Sequence, residues 1–353
     1  MSVVFAILLF SFLIFIHELG HFIAAKLSGV QVNEFAIFMG PALFKKQVGD
    51  TLYSIRCIPI GGYCAMEGEE EETDSPHSFQ KAAWWKRLII LLAGSFMNFF
   101  VGVLIMFIVF APAKQFVTPV IEKFESYSTV NRDGGLQAGD RILEIDGEKI
   151  YLQTDFSMIL SLNHGDIHDL VVERNGKKVK LDNFLMERHS VTGEDGVTQE
   201  LYGLNFAVVN ADIPTKAVYA WNSSLNTVRM VRLSLQMLLT GKAGLKDMTG
   251  PVGIVKIMSD AADSSEKVSE AIMNMLYFGG FIAINLSVMN LLPIPALDGG
   301  RAVALLLSTT IGGVTKKKIN PKYEGYIHSV GMILLLGLTA VILFKDIFLI
   351  FKG

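Results

Sequence analysis

The stretch FIHELGHFIAAKLSG, Phe15 to Gly29, decides how the chain is read, because it sets two histidines and a glutamate inside an apolar run that opens at Val3. On a helix, residues four apart project from one face about one turn apart, so His17 and His21 point the same way with Glu18 beside them. That spacing lets two imidazoles bind one Zn2+ and sets Glu18 where it takes a proton from water at the metal. Chance also produces this pattern, so the setting matters. Ionisable residues within a membrane span are costly, and by default they mark a functional site.

The whole composition supports a span at that place. Of 353 residues, 51% are hydrophobic and 18% charged, and the mean hydropathy is +0.43; soluble globular chains carry about a quarter charged residues. A net charge of -3 with no long basic stripe excludes nucleic acid as a partner. Cys57 and Cys64, the only cysteines, make neither a disulfide framework nor a CxxC motif, and are expected as free thiols. No basic residue precedes Lys26 and no small-residue cleavage site follows a short apolar core. The first run is therefore read as a retained span rather than a removed signal peptide.

Four stretches are long and apolar enough to cross about 30 Å of hydrocarbon, which takes roughly 20 helical residues. They are Val3–Leu27, Leu88–Ala111, Ala271–Leu292 and Ile327–Phe344. The expected fold class is a polytopic α-helical membrane protein of about four transmembrane helices, with spans allotted to 1–29, 88–112, 271–300 and 327–351. The loops 30–87 and 301–326 carry basic residues close to the spans, Lys45, Lys46, Arg56, Lys81, Lys86 and Arg87 in the first and Arg301, Lys316, Lys317, Lys318 and Lys322 in the second, whereas the N-terminal edge has none. Positive-inside weighting puts both loops in the cytoplasm and 112–270 outside.

Inside the first loop, TLYSIRCIPIGGYCAM (Thr51–Met66) is rich in β-branched and aromatic residues, with Gly61-Gly62 breaking its middle. It is expected as a β-hairpin or small sheet lying against the membrane, followed by EGEEEETD as a solvated loop. The external segment opens with a compact β-rich domain over 116–206. GLQAGDRILEIDGEKI (Gly135–Ile150) gives a strand between turns, and LVVERNGKKVKL (Leu170–Leu181) two strands around Asn175-Gly176. An amphipathic helix over Thr215–Leu239 and a connector fill 207–270.

A catalytic zinc takes three protein ligands and keeps one position open. NLLPIPALDGG, Asn290–Gly300, closes the third span, and Pro293 and Pro295 break its helix. Lipid does not tolerate the freed backbone groups unless they face a protein cavity. Asp298 is then the natural third ligand, with Gly299 and Gly300 allowing close approach; the alternative is that Asp298 caps a helix at the end of that span.

HELGH in a first span together with NLLPIPALDG in a later one resembles the site-2 protease family of intramembrane zinc metalloproteases, over nearly the whole chain. The segment from Gly135-Leu136 to Gly147 resembles a PDZ domain, as in the bacterial, PDZ-containing branch of that family. GSFMNF (Gly94–Phe99) matches the family's second-span signature, IGGYCAM looks like its membrane-associated β-loop, and GPVGI (Gly250–Ile254) also recurs. Two departures stand out: Cys64-Ala65 where Val-Lys is expected, and Arg301 where some members have His.

The resemblance implies one Zn2+ per chain on His17, His21 and Asp298, with Glu18 as base. Asn98 and Asn290 are implied to position substrate or stabilise the oxyanion. The edge of the β-loop, with Gly62, Tyr63 and Cys64, is expected to hold an unwound substrate by strand addition. The implied substrates are single-pass membrane proteins, such as anti-sigma factors or signal-peptide remnants, cut after a first cleavage. The implied place is the bacterial inner membrane, with the PDZ-like domain outside and the catalytic end near the cytoplasm. Two other classes compete. A transporter or channel using intramembrane His and Asp is expected to repeat its spans internally, and none repeat here. A membrane-anchored PDZ scaffold needs one span and no buried carboxylates.

Overall fold

The computed structural model describes residues 2–69, 73–162, 165–192, 198–244, 246–265, 267–315 and 321–352. Glu70–Glu72 of the expected solvated loop and Lys316–Lys318 of the basic loop lie outside these residues. The chain forms two units: Met1–Val109 with Thr227–Gly353, and Phe110–Asn226 inserted between those halves. In order come α1 (Ser2–Ser28), β1 (Val32–Val48), β2 (Thr51–Met66) and α2 (Trp84–Phe110). Next are β3 (Gln115–Phe124), β4 (Arg141–Ile145), β5 (Glu148–Lys149), α3 (Gln153–Leu162), β6 (Ile167–Arg174) and β7 (Lys177–Leu185). Then follow β8 (His189–Thr192), β9 (Thr198–Leu201), β10 (Leu204–Asn210) and α4 (Ile213–Leu239). The chain closes with α5 (Pro251–Asp263), α6 (Val268–Asn290), α7 (Asp298–Thr315) and α8 (Pro321–Lys352).

Four helical stretches are long and apolar enough to cross a membrane: Val4–Ser28, Trp84–Phe110, Val268–Asn290 and Gly325–Phe348. They coincide with the four expected spans to within a few residues. Between apolar helices in lipid no hydrophobic drive is left, so close backbone approach through small residues holds them together. A Cβ on Gly20 of α1 would lie 2.4 Å from the Ala93 carbonyl oxygen of α2, and one on Gly102 of α2 would lie 2.6 Å from Ile284 Cγ1 of α6. Met258 of α5 is fully buried in a cluster with Ala6, Leu9 and Leu13 of α1 and Ile282 and Ala283 of α6. The GPVGI motif starts α5 with Pro251 in its first position. There Asp346 of α8, 5% exposed, accepts the Gly253 N–H at 2.9 Å. A carboxylate at a helix N-terminus meets both the free N–H groups and the positive end of the dipole.

The β-loop departs from its expected form. β2 is one strand over all of Thr51–Met66, and its partner is β1, which the sequence reading did not separate. The hairpin turns at Gly49-Asp50, where Gly49 has φ +58, rather than at Gly61-Gly62. Gly61 (φ +81) and Gly40 (φ +83) instead mark bends within the strands. As a result the first half of β1 is flanked on both sides by β2: Phe35 pairs with Cys64 and with Tyr53, Ala36 with Tyr63 and with Ser54. No other described strand pairs with the outer side of 62–66.

A polar knot crosses this sheet. Arg56 bonds Glu34 at 2.8 Å, the Gly40 carbonyl at 2.6 Å and the Tyr63 hydroxyl; Ser54 donates to Glu34 at 2.6 Å. Burial, then the bond to Glu34, pushes the Tyr63 phenol up to about 12. Burial opposes ionisation of Glu34, but bonds from Ser54, Tyr63 and Arg56 hold its carboxyl below the usual range. The far end of the sheet is apolar outside, with Met39, Leu43, Phe44, Ile58 and Ile60 exposed. It is tied to the first half of α1 by Ser11, which donates to the Pro59 carbonyl at 2.6 Å.

The segment 301–326, allotted to a loop, opens as helix α7 in its described part. The reason is amphipathic: Ala302 and Leu305, three apart, are buried with Ala24, Ala25 and Leu91.

The inserted unit has one sheet of order β10-β3-β4-β6-β7, with β5 paired to β4, and a separate β8–β9 hairpin. Its core gathers Ile121, Leu136, Ile142, Ile145, Leu170 and Val172 from the sheet side with Phe156 and Ile159 of α3. The two expected turns form at the expected residues. Asp146 and Gly147 (φ +50 and +80) close β4–β5, and Asn175 and Gly176 (φ +51 and +73) close β6–β7, as two-residue hairpins require. Asp140, wholly buried, is matched by Arg174 through Nε at 2.8 Å and Nη2 at 2.7 Å.

Candidate active site

α1 carries His17, Glu18 and His21 within one turn, and α7 begins at Asp298. The Nε2 atoms of His17 and His21 are 3.1 Å apart. Asp298 Oδ2 lies 3.0 Å from His17 Nε2 and 3.3 Å from His21 Nε2. Ligand atoms at the corners of a tetrahedral zinc site with bonds of about 2.0–2.1 Å are roughly 3.3 Å apart. Two imidazole nitrogens and a carboxylate oxygen are also the donor set that zinc accepts at a catalytic centre.

Two details of the chain fit a metal here. Asp298 Oδ2 is buried without a hydrogen bond, an expensive state for a carboxylate unless a cation faces it. His21 donates Nδ1–H to the Ile90 carbonyl at 2.8 Å. That bond fixes the tautomer and leaves the lone pair of Nε2 toward Asp298. His17, His21 and Asp298 are also the one set of three metal-ligating side chains among the described residues.

The loop after α6 delivers Asp298. Ile294 N–H bonds back to the Leu292 carbonyl at 2.7 Å, and Leu297 N–H to that of Ile294 at 3.1 Å. Ala296 takes φ +84, a region that costs an L side chain about 1–2 kcal/mol and is seen where surrounding structure enforces it. Cβ atoms on Gly299 and Gly300 would each come within 2.2 Å of a loop carbonyl oxygen, Leu291 and Ile294 respectively. The double glycine therefore lets the first turn of α7 sit directly on the loop, and the Asp298 side chain goes to the imidazoles.

α2 closes the other side. A Cβ on Gly94 would fall 2.4 Å from His21 Nε2 and 2.8 Å from His17 Cε1. Asn98, one turn further on, is 1% exposed, and its Nδ2 is 3.5 Å from His17 Nδ1. Gly62 of β2 lies beside Glu18: a Cβ there would be 3.8 Å from Glu18 Cγ and 2.9 Å from the Ala36 carbonyl oxygen.

The remaining sequence candidates are Tyr63, Cys64 and Asn290. The Tyr63 hydroxyl is engaged by Arg56 in the polar knot. The Cys64 side chain packs in a core cluster with Ala25 and Phe35, and burial pushes its thiol above the usual range. No hydrogen bond among the described residues joins the Asn290 side chain to the His-Asp cluster.

Three contributors escaped the sequence reading. The Ile90 carbonyl has no side-chain signature. Gly94 was visible only as the first letter of a motif. Arg301 forms an ion pair with Glu69 at 2.5 Å, linking α7 three residues past Asp298 to the exit of the β-loop; opposite charges there were present but far apart in sequence.

Comparison with known proteins gives a match to the family described as peptidase family M50 over residues 5–338. A candidate zinc metalloprotease of Clostridium perfringens is 37% identical over 349 residues, covering 98% of each chain. Zinc metalloprotease RasP of Oceanobacillus iheyensis is 28% identical, again over 98% of each. Regulator of sigma-W protease RasP of Bacillus subtilis is 25% identical over 98% of each.

Proposed function

The chain belongs to peptidase family M50, intramembrane zinc metalloproteases of the site-2 type, and from that premise we propose how its residues carry the reaction. His17, His21 and Asp298 hold the zinc and Glu18 is the general base. The observation that carries this is the convergence of three ligand atoms, from the first span and from the far end of the chain, within 3.0–3.3 Å on the turn that holds Glu18. When bound, zinc supplies Lewis-acid activation of water and of the scissile carbonyl. Glu18 takes the proton of the attacking water and returns it to the leaving amine. Gly62 keeps the space beside the Glu18 side chain free of its own. Asp298→Asn tests the ligand set: the amide is a poor ligand, so zinc content and cleavage of a membrane-embedded reporter should fall together. Equal zinc in Asp298→Asn and wild type would remove Asp298 from the set.

A transmembrane helix hides its carbonyls in internal hydrogen bonds, so the substrate must unwind before attack. We place the unwound segment along the outer side of residues 62–66, which begins beside Glu18, held by strand addition. The apolar outward side chains at the far end of this sheet support a position within the bilayer. Proline at Ala65 removes a backbone donor from the strand that carries this edge; loosening that strand costs about 1–1.5 kcal/mol, or roughly tenfold in cleavage. Zinc content should not change. Undiminished cleavage by Ala65→Pro would argue against this edge.

The protein is a membrane protein; the basic loops support an inner-membrane orientation with the catalytic end toward the cytoplasm and the inserted unit outside. The hairpin turns of that unit, at the residues expected from the sequence, support the PDZ-like reading. The substrates we propose are single-pass membrane proteins already trimmed outside. Anti-sigma factors come first, because the Bacillus subtilis relative is named a regulator of sigma-W protease; signal-peptide remnants come second.

A further inference from the structure

Ile90, Gly94 and Asn98 stand four apart on α2 and form one face, opposite the face of α1 that carries His21 and His17. Their contacts follow in order: the Ile90 carbonyl to His21 Nδ1, the Gly94 Cα against both rings, and the Asn98 amide to His17 Nδ1. Each imidazole thus has a group on α2 at the nitrogen that faces away from Asp298. For His21 that group is an acceptor, as a metal-binding imidazole needs, because its second nitrogen carries a proton. For His17 the nearest Asn98 atom is Nδ2, a donor, at 3.5 Å, while Oδ1 is buried with no hydrogen-bond partner among the described residues. Turning the amide over puts Oδ1, an acceptor, opposite the N–H of His17. Which end of an amide is oxygen is inferred from the hydrogen-bond network, and a His17 that carries its proton on Nδ1 calls for the turned form.

We propose that Asn98 is a positioning residue for the metal: its Oδ1 accepts Nδ1–H of His17 and holds that imidazole with Nε2 toward Asp298. This rests on the metal-site reading above, and it replaces the expected role of Asn98 at the substrate. It also gives the spacing of Gly94 and Asn98 a reason. The glycine lets α2 approach the rings, and the asparagine one turn on meets the ring that the helix backbone does not reach.

The test uses the full chain, purified in lipid nanodiscs, with zinc affinity measured by chelator competition and the histidine tautomers by nitrogen-15 resonance. Asn98→Leu keeps the volume and removes the acceptor. The expected result is roughly 10–100-fold weaker zinc binding, with the His17 Nδ1–H signal shifted and that of His21 unchanged. Asn98→Asp keeps an acceptor at the same place and should bind zinc at least as tightly as wild type. Zinc affinity unchanged in Asn98→Leu, with cleavage alone reduced, would overturn the proposal in favour of a substrate role. Tenfold weaker zinc in Asn98→Asp would overturn it too, and this variant decides if Asn98→Leu does not fold. Failure of the underlying reading looks different: His21→Ala and Asp298→Asn would then bind zinc as wild type does.

Discussion

Gly94→Ala is expected to empty the metal site with a change of one methyl group. The added carbon would stand 2.4 Å from His21 Nε2 and 2.8–2.9 Å from the His17 ring, far inside van der Waals contact. It would also occupy the side of the ligand atoms that faces α2. Neither helix has room to yield, because Gly20 of α1 already lets its backbone approach the Ala93 carbonyl as closely as a missing Cβ permits. Overpacking of this kind costs about 1–3 kcal/mol when the structure repacks. Here repacking means moving the imidazoles, so zinc affinity should fall by roughly 10–100-fold, and cleavage with it. Gly337→Ala in α8, with nothing within 4 Å of the added carbon, is the matched control and should leave both unchanged. One zinc per chain in purified Gly94→Ala, with normal affinity, would show that the helices separate easily and that the close contact is incidental.

The second large effect separates proton transfer from metal binding. Glu18→Gln keeps shape and volume but cannot accept the proton of the attacking water. Cleavage should therefore fall by about 10²–10⁴-fold, the usual contribution of a general base. Zinc content should stay at one per chain, since His17, His21 and Asp298 supply every proposed ligand atom. Measured on a reporter whose scissile segment is membrane-embedded, this gives an outcome opposite in kind to Asp298→Asn, where zinc and activity leave together. A Glu18→Gln enzyme retaining more than a tenth of the activity would show that another group takes the proton.

Much of this architecture was legible from local pattern. The four spans follow from runs of apolar residues about as long as the hydrocarbon is thick, a property that no tertiary contact needs to confirm. The Asp146-Gly147 and Asn175-Gly176 hairpins were readable because such turns demand positive φ, which few residues tolerate. The β-loop was misread for a related reason. Gly61-Gly62 looked like the turn, yet glycine also serves bends and close approaches, and Gly49-Asp50 a dozen residues earlier makes the reversal. Helix α7 was missed because the basic residues after it outweighed the buried pair Ala302 and Leu305.

For the site, the sequence by itself determined the His17–His21 pair and the adjoining Glu18, since a helix of any packing puts residues four apart on one face. It also supplied Asp298 as a candidate, with ligand and helix cap both open. Only the tertiary structure joined them, setting Asp298 Oδ2 3.0 and 3.3 Å from the two imidazoles. It alone set the Ile90 carbonyl at His21 Nδ1 and the Asn98 amide 3.5 Å from His17 Nδ1. The physical reason is that ligand geometry and tautomer depend on sub-ångström contacts between helices, made by backbone atoms and by side chains that are absent. A carbonyl carries no residue code, and a glycine announces only that something comes close, not what it is.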